Sequence, residues 1–255
     1  MNIVAVIPAR MASSRFPGKP MKKIHGMPMI GHCYHRVRRC TELSATYVAT
    51  CDSEIEAYVG SIGGRAIMTS DMHERASDRA AEAMLKIEEI TGERIDILVM
   101  VQGDEPMDTP EMISQALDPI KSDRTVNVVN LMARIDSLEE FEDPNTVKVV
   151  ADSNDYALYF SREAIPSRKK GFKEVPMRKQ VCIIPFRRNY LLEFNEMPET
   201  ELERIESVDM MRILESGGSV KMVHTDKETY GVDTPEDLLK VEDRMKNDPL
   251  MREYL

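Results

Sequence analysis

Residues 3–20 read IVAVIPARMASSRFPGKP, and the fold class of the 255-residue chain turns on this stretch. Its first five residues, Ile3-Val4-Ala5-Val6-Ile7, are an apolar run that Pro8 stops, the pattern of a buried central strand. Arg10, Arg15 and Lys19 follow in a segment rich in turn formers, Ser13, Ser14, Pro17 and Gly18. At the start of an α/β chain, the loop outside the carboxyl end of a strand is where a phosphate ligand is expected. Two guanidinium forks and one ammonium point charge suit a polyphosphate. The same charges also fit a solvated surface loop, and the glycine-rich GxxxxGK[ST] motif is absent, so on this stretch alone both readings stand.

Working outward, residues 29–39 have helical periodicity, with Ile30, Cys33, Tyr34 and Val37 on one face. His32 and His35 on that helix have a spacing metals can use, but no further ligand is placed to complete a set. Residues 45–50 read as a strand, 54–62 as a helix closed by Gly63-Gly64, and 65–68 as a short strand. Ser77 is expected to N-cap a helix running to about Ile90, with Asp78 and Glu82 complementing its positive end. Residues 96–101 (DILVMV) form the strongest buried-strand signal and run directly into Gln102-Gly103-Asp104-Glu105-Pro106. Pro110 opens the next helix with Thr109 as its cap. Strands are expected at 126–133, 147–151, 156–161, 180–186 and 220–224, and one helix at 202–215, ended by Gly217-Gly218. Thr234, Pro235 and Asp237 have the spacing of a capping box at the start of a last helix. The pattern is α/β: a mostly parallel sheet with a strand-rich excursion at about 154–194, in a single domain, 1–255.

Composition narrows the function classes. With 42% hydrophobic and 31% charged residues the chain belongs with soluble globular proteins, not with disordered or membrane ones. No apolar run approaches a bilayer span, and Arg10 interrupts any signal-peptide profile. A net charge of −10 argues against nucleic acid as the main partner, which makes the cationic cluster near the N-terminus stand out. The four cysteines show no CxxC spacing, as expected for a reducing cytoplasm.

Asp104 and Asp233 each follow an apolar segment and sit in a turn, where Asp is common without any ligand. Together with Arg10, Arg15 and Lys19 they describe a site for a metal–nucleoside triphosphate, the carboxylates holding the cation against the phosphates. No His or Cys nucleophile accompanies them, so direct displacement at phosphorus fits better than covalent catalysis.

IPARMASSRFPGKP, VQGDEP, NTVKVV, YALYFSREAIP and GVDTPEDL, in this order over nearly the whole chain, resemble the 3-deoxy-manno-octulosonate (Kdo) cytidylyltransferases, the CMP-Kdo synthetases. The resemblance implies a three-layer αβα nucleotidyltransferase fold of Rossmann-like type, use of Mg²⁺, and a cytoplasmic homodimer. It implies coupling of CTP to an acidic ketose, with release of pyrophosphate and a CMP-sugar for lipopolysaccharide biosynthesis. By this likeness Ala9, Arg10, Arg15 and Lys19 would bind CTP, and Lys19, Asp104 and Asp233 would carry catalysis. Asp104 and Asp233 would be the metal ligands, and Arg79, Gln102, Gln180 and Glu206 would face the acceptor. The excursion, with Tyr156, Leu158, Phe160, Ile183, Ile184 and Phe186, would carry the dimer interface.

This chain departs from the family in three places. A segment usually like HLGIYGY is QVCIIPF here (180–186), Ala76-Ser77 replaces Gly-Thr, and Cys51 stands where Asp is usual. Replacing one His and two Tyr by Gln180, Ile184 and Phe186 would make the acceptor pocket more apolar. Kdo itself is then expected to be a poor substrate, and the true acceptor to differ from it at the end distant from the carboxylate. Kdo or a related ulosonic acid, a phosphonate or other small acid, and a nucleotide-binding regulator without turnover are the alternatives.

Overall fold

In the computed structural model of the chain, which describes residues 1–12, 16–171 and 174–255, the N-terminal apolar run is strand β1 (Ile3–Pro8), buried from Ile3 to Ile7. A small hairpin, β2 (Lys23–Ile24) and β3 (Met27–Pro28), leads into α1 (Met29–Val37). Then come β4 (Ala45–Thr50), α2 (Ser53–Ser61), β5 (Ala66–Met68), α3 (Ala76–Thr91), β6 (Ile97–Val101) and α4 (Pro110–Ser122). They are followed by β7 (Val129–Arg134), α5 (Leu138–Glu142), β8 (Lys148–Ala151), β9 (Ala157–Ser161), β10 (Arg178–Val181) and β11 (Ile183–Arg187). The chain closes with α6 (Arg188–Glu196), α7 (Glu201–Glu206), α8 (Met210–Glu215), β12 (Lys221–Thr225) and α9 (Pro235–Met245).

Four expectations need correcting. The apolar run 180–186 is two strands, β10 and β11, broken at Cys182, because β10 joins one ladder while Arg187 N, at the end of β11, donates to Asn127 O at 2.9 Å. The helix expected at 202–215 is two, since Ser207 adopts φ 51°, the left-handed conformation that ends a helix, and closes α7. At the start of α3, Arg75 holds the cap position and Ser77 is buried in the first turn. Thr109 precedes α4, but its hydroxyl is buried with no hydrogen-bond partner among the described residues, so it does not cap through its side chain.

Chain contacts divide into two compact units, Met1–Ser114 with Glu228–Leu255, and Gln115–Lys227, where one domain with a shorter excursion is expected from sequence. In the first unit the strands run β6-β1-β4-β5, all parallel, with Val6 opposite Met100 on one side and Tyr47 on the other. From β1 the chain adds β4 and β5 on one side and β6 on the other, so the strand order reverses at β1. The crevice beyond the carboxyl ends of β1 and β6 is thus a topological switch point, the place where open α/β sheets bind ligands. Gly103 belongs to this crevice: a Cβ there would lie 3.0 Å from Pro8 O and 3.2 Å from Ile30 Cδ1. Only glycine lets the loop after β6 lie so close to the end of β1 without displacing one of them.

The second unit orders its strands β12-β7-β10-β8-β9, with β12 parallel to β7 and the other pairs antiparallel. Arg212 and Glu203 form a bidentate buried pair there, at 2.7 and 2.6 Å. Of the six apolar residues assigned to an interface, Phe160, Ile183, Ile184 and Phe186 are buried core, and Phe186 packs on Phe194 with ring centroids 5.8 Å apart. Leu158 stays 62% exposed.

His32, fully buried in α1, bonds through Nε2 to Ile24 O at 2.8 Å and through Nδ1 to the Tyr254 hydroxyl at 2.9 Å. Burial is the largest cause that lowers its pKa to about 4. The folded pKa lies below the unfolded value of about 6.5, so its contribution is complete above pH 6.5 and is lost as pH falls through about 4. The loss is on the order of 3 kcal/mol. Thermal midpoints from pH 7.5 to 4 should therefore fall more steeply for the wild type than for His32→Gln; parallel profiles would refute this.

Candidate active site

The loop after β1 begins at Ala9, which is buried and whose amide donates to Ala49 O at 2.9 Å. Arg10 turns outward, with its Nη1 3.5 Å from the His73 carbonyl. Arg15 lies outside the described residues. The loop is tied back at Met11, whose amide donates to Asp52 Oδ2 at 2.8 Å. Gly18 then takes φ +69°, which glycine adopts without strain, and starts the short 3₁₀ turn Lys19–Met21. That turn aims the Lys19 side chain inward.

Lys19 Nζ reaches Asp104 Oδ2 at 2.7 Å and Asp233 Oδ1 at 3.3 Å. Burial by itself would lower the lysine pKa, but Asp104 and then Asp233 more than offset it, so the net shift is upward and the ammonium stays charged. The carboxylates come from distant segments. Asp104 follows β6, and Asp233 precedes α9, where Thr234 and Asp237 form the capping box anticipated from their spacing. Val232 N donates to Asp104 O at 2.9 Å, a backbone bond that holds the two carboxylate-bearing segments side by side. Gln102 lies half-buried between β6 and Asp104.

Arg79 is buried in α3 and spends its guanidinium on its own neighbourhood: Thr69 Oγ1 at 2.5 Å, Ser70 O at 3.1 Å and His73 O at 3.3 Å. His73 Nε2 also meets Glu82 at 2.5 Å, and Glu82 accepts from Ser70 N at 2.9 Å. Burial would raise the Glu82 pKa, but bonds from Lys86, the Ser70 amide and His73 bring it down to about 2. The 69–75 loop is therefore built by Arg79 and Glu82, and Arg10 approaches it. Asp52 and His73 were not singled out from the sequence, and Glu82 was read only as a charge complementing the start of its helix. Their partners lie 41 positions away for Asp52 and 9 for the His73–Glu82 pair, with no motif to mark them.

In the second unit, Gln180 donates to Asn130 Oδ1 at 2.6 Å. Glu206 accepts from Ser161 Oγ at 3.0 Å, Tyr159 Oη at 3.1 Å and Arg162 N at 2.8 Å. Ile184 and Phe186 are 3% and 0% exposed, so their replacement of family tyrosines is a change of core packing and does not make a pocket wall apolar.

The donor set around Lys19 fits a hard divalent cation. Two carboxylates already converge on one positive centre, and Mg²⁺ is commonly held by one or two carboxylates together with substrate phosphates. No group of three His, Cys, Asp or Glu side chains forms an all-protein cage among the described residues. Nor is any described helix long and apolar enough to cross a membrane.

A family model described as cytidylyltransferase matches residues 4–228. The 3-deoxy-manno-octulosonate cytidylyltransferase of Geotalea uraniireducens (strain Rf4) is 43% identical over 96% of this chain and all of its own. That of Thermodesulfovibrio yellowstonii is 42% identical over 93% of this chain and 96% of its own. A solved structure of CMP:2-keto-3-deoxy-manno-octonic acid synthetase complexed with CTP superposes with a TM-score of 0.87 at 38% identity, over the full length of both chains. A putative glucose-1-phosphate thymidylyltransferase from Bacillus anthracis, 15% identical with a TM-score of 0.65 over 96% of each chain, shares the fold alone.

The pairing of Lys19 with both carboxylates yields a test without substrate. Lys19→Met leaves two like charges facing each other, which should lower the metal-free melting midpoint by about 5 °C. Added Mg²⁺ should then raise the variant's midpoint more than the wild type's, because a cation replaces the missing ammonium. An equal or smaller rise would count against a cation site here.

Proposed function

The chain belongs to the cytidylyltransferase family, in its 3-deoxy-manno-octulosonate branch, and from that premise we propose that it couples CTP to Kdo, forming CMP-Kdo and pyrophosphate for lipopolysaccharide biosynthesis. The observation that carries the reading is the Lys19 ammonium between Asp104 and Asp233 at the switch point of a parallel sheet. Asp104 and Asp233 would hold a divalent cation, Mg²⁺ suiting their hard oxygens, and when bound it would supply positive charge against the α-phosphate and the departing pyrophosphate. Lys19 adds a fixed ammonium to the same charge, already oriented before substrate arrives. Arg10, turned outward, offers its guanidinium to the triphosphate. Ala9 and its backbone shape the floor for the base. Arg79 acts through the 69–75 loop that it braces, and Gln102 is the half-buried amide beside Asp104. Holding the acceptor hydroxyl in line with phosphorus converts a bimolecular encounter into an oriented displacement.

Kdo is preferred over a modified acid or a phosphonate because of the similarity to Kdo cytidylyltransferases, and because two of the three residues that prompted doubt, Ile184 and Phe186, are core side chains. Gln180 and Glu206 support the acceptor side by ordering Asn130 and the Tyr159–Arg162 segment. A homodimer in this reading uses Leu158, the one strongly exposed apolar side chain of the original six. Light scattering at micromolar protein should report twice the chain mass, and a monomer would remove the dimer.

Pyrophosphate release with CTP and Mg²⁺ across ulosonic acids and phosphonates should give Kdo the highest kcat/KM. Asp104→Asn and Asp233→Asn should each lower kcat by about a thousandfold, as removal of a transition-state interaction does, while the protein stays folded. CTP binding without pyrophosphate release from any acceptor would point instead to a nucleotide-binding regulator.

A further inference from the structure

Arg36 lies in α1 outside the proposed site and is 1% exposed. Its Nη1 donates to Met107 O at 3.2 Å and Asp108 O at 3.4 Å, in the turn just beyond Asp104. Its Nη2 pairs with Asp248, shortly after α9, the helix that Asp233 immediately precedes. Its Nε donates to the Tyr254 hydroxyl at 3.0 Å. One guanidinium thus ties the turn just beyond Asp104 to the segment that follows the C-terminal end of α9, the helix whose N-terminal end Asp233 precedes.

The grip has a defined direction. The Ile24 carbonyl can only accept, so neutral His32 carries its proton on Nε2 and leaves Nδ1 as an acceptor. The Tyr254 hydroxyl therefore donates to His32 and accepts from Arg36, and no other side chain of its size fills both roles. Its ring stacks on His35, with centroids 5.3 Å apart and planes 10° apart, and lies 5.1 Å from the Arg39 guanidinium. Met107, Val232 and Tyr254 share one apolar cluster with α9 residues Val241 and Met245, so water is kept from these bonds.

We propose that Arg36 is a positioning residue for the cation site, pinned by Tyr254 and Asp248, so that the C-terminal segment tunes cation affinity without touching the cation. This rests on the reading of Asp104 and Asp233 as the cation's carboxylates. Arginine is required because a lysine's single ammonium could not hold two carbonyls, a hydroxyl and a carboxylate in one plane.

The test uses the whole chain with Tyr254→Phe, which keeps the ring and removes only the hydroxyl, and Asp248→Asn as a second, independent variant. Mn²⁺ binding without nucleotide is followed by EPR, and Mg²⁺ half-saturation by pyrophosphate release, with Asp104→Asn as the reference. Both variants should bind Mn²⁺ about tenfold more weakly, the low end for groups that orient metal ligands. Mg²⁺ half-saturation should rise alongside, while kcat at saturating Mg²⁺ stays within about twofold, since the reacting groups are intact. If Asp104→Asn loses Mn²⁺ binding while both variants bind like the wild type, the positioning role is overturned and the metal reading survives. A fall in kcat with unchanged half-saturation also overturns it, because it marks general destabilisation. If Asp104→Asn binds Mn²⁺ like the wild type, the metal reading and this inference fall together.

Discussion

Two carboxylates that would repel each other are held within reach of one ammonium, and much of the first unit serves that arrangement. At about 4 Å and the effective dielectric of a protein surface, a unit ion pair is worth about 4 kcal/mol before desolvation, so the cluster is stable only while the cation is present. Lys19 reaches it because Gly18 takes a left-handed conformation that starts a tight turn. Asp104 reaches it because Gly103 lets its loop lie against the end of β1. Asp233 is oriented by the capping box of α9 and by the backbone bond from Val232. The two carboxylates of the proposed site thus rest on an internal cation.

The two units divide the labour by their hydrogen bonding. In the first, a parallel sheet buried on both faces leaves Lys19 and Asp104 to the loops beyond the carboxyl ends of its strands. In the second, polar side chains are spent on internal order: Lys148 is buried and donates to three backbone carbonyls, those of Asp143, Thr146 and Arg162. Glu206 likewise satisfies one hydroxyl from a tyrosine, one from a serine and an amide. Resemblance in a family segment therefore need not mean contact with substrate, since a side chain can be retained or replaced for the packing of its own unit.

Elements whose physics is local were legible in the sequence. β1, β4, α1, α2 and the α9 capping box lie where periodicity and caps put them, because burial pattern and cap chemistry act within a few residues. The breaks at Cys182 and Ser207 were not legible: the apolar run continues through the first, and serine at the second carries no signal that it will adopt φ 51°. Lys19, Asp104 and Asp233 were singled out because strand ends and turns advertise them, and the structure brings the three side chains together. The brace behind them was not found, because Arg36, Asp248 and Tyr254 meet across up to 218 positions and have no common spacing. Ile184 and Phe186 show the converse: their types were read correctly and their surroundings were not, since β11 is buried on both faces from Ile183 to Phe186.

The discontinuity of the first unit has a consequence for biogenesis. Lys19 and Asp233 are 214 positions apart, with all of the second unit threaded between them. At roughly 5–20 residues per second, a ribosome needs on the order of ten to forty seconds between making one and making the other. During that interval the nascent N-terminal sheet has Lys19 but lacks Asp233 and the α9 cover of its apolar cluster. A polypeptide stalled anywhere in the second unit lacks Asp233 altogether, so the pairing of Lys19 with both carboxylates doubles as a check that translation ran through to α9.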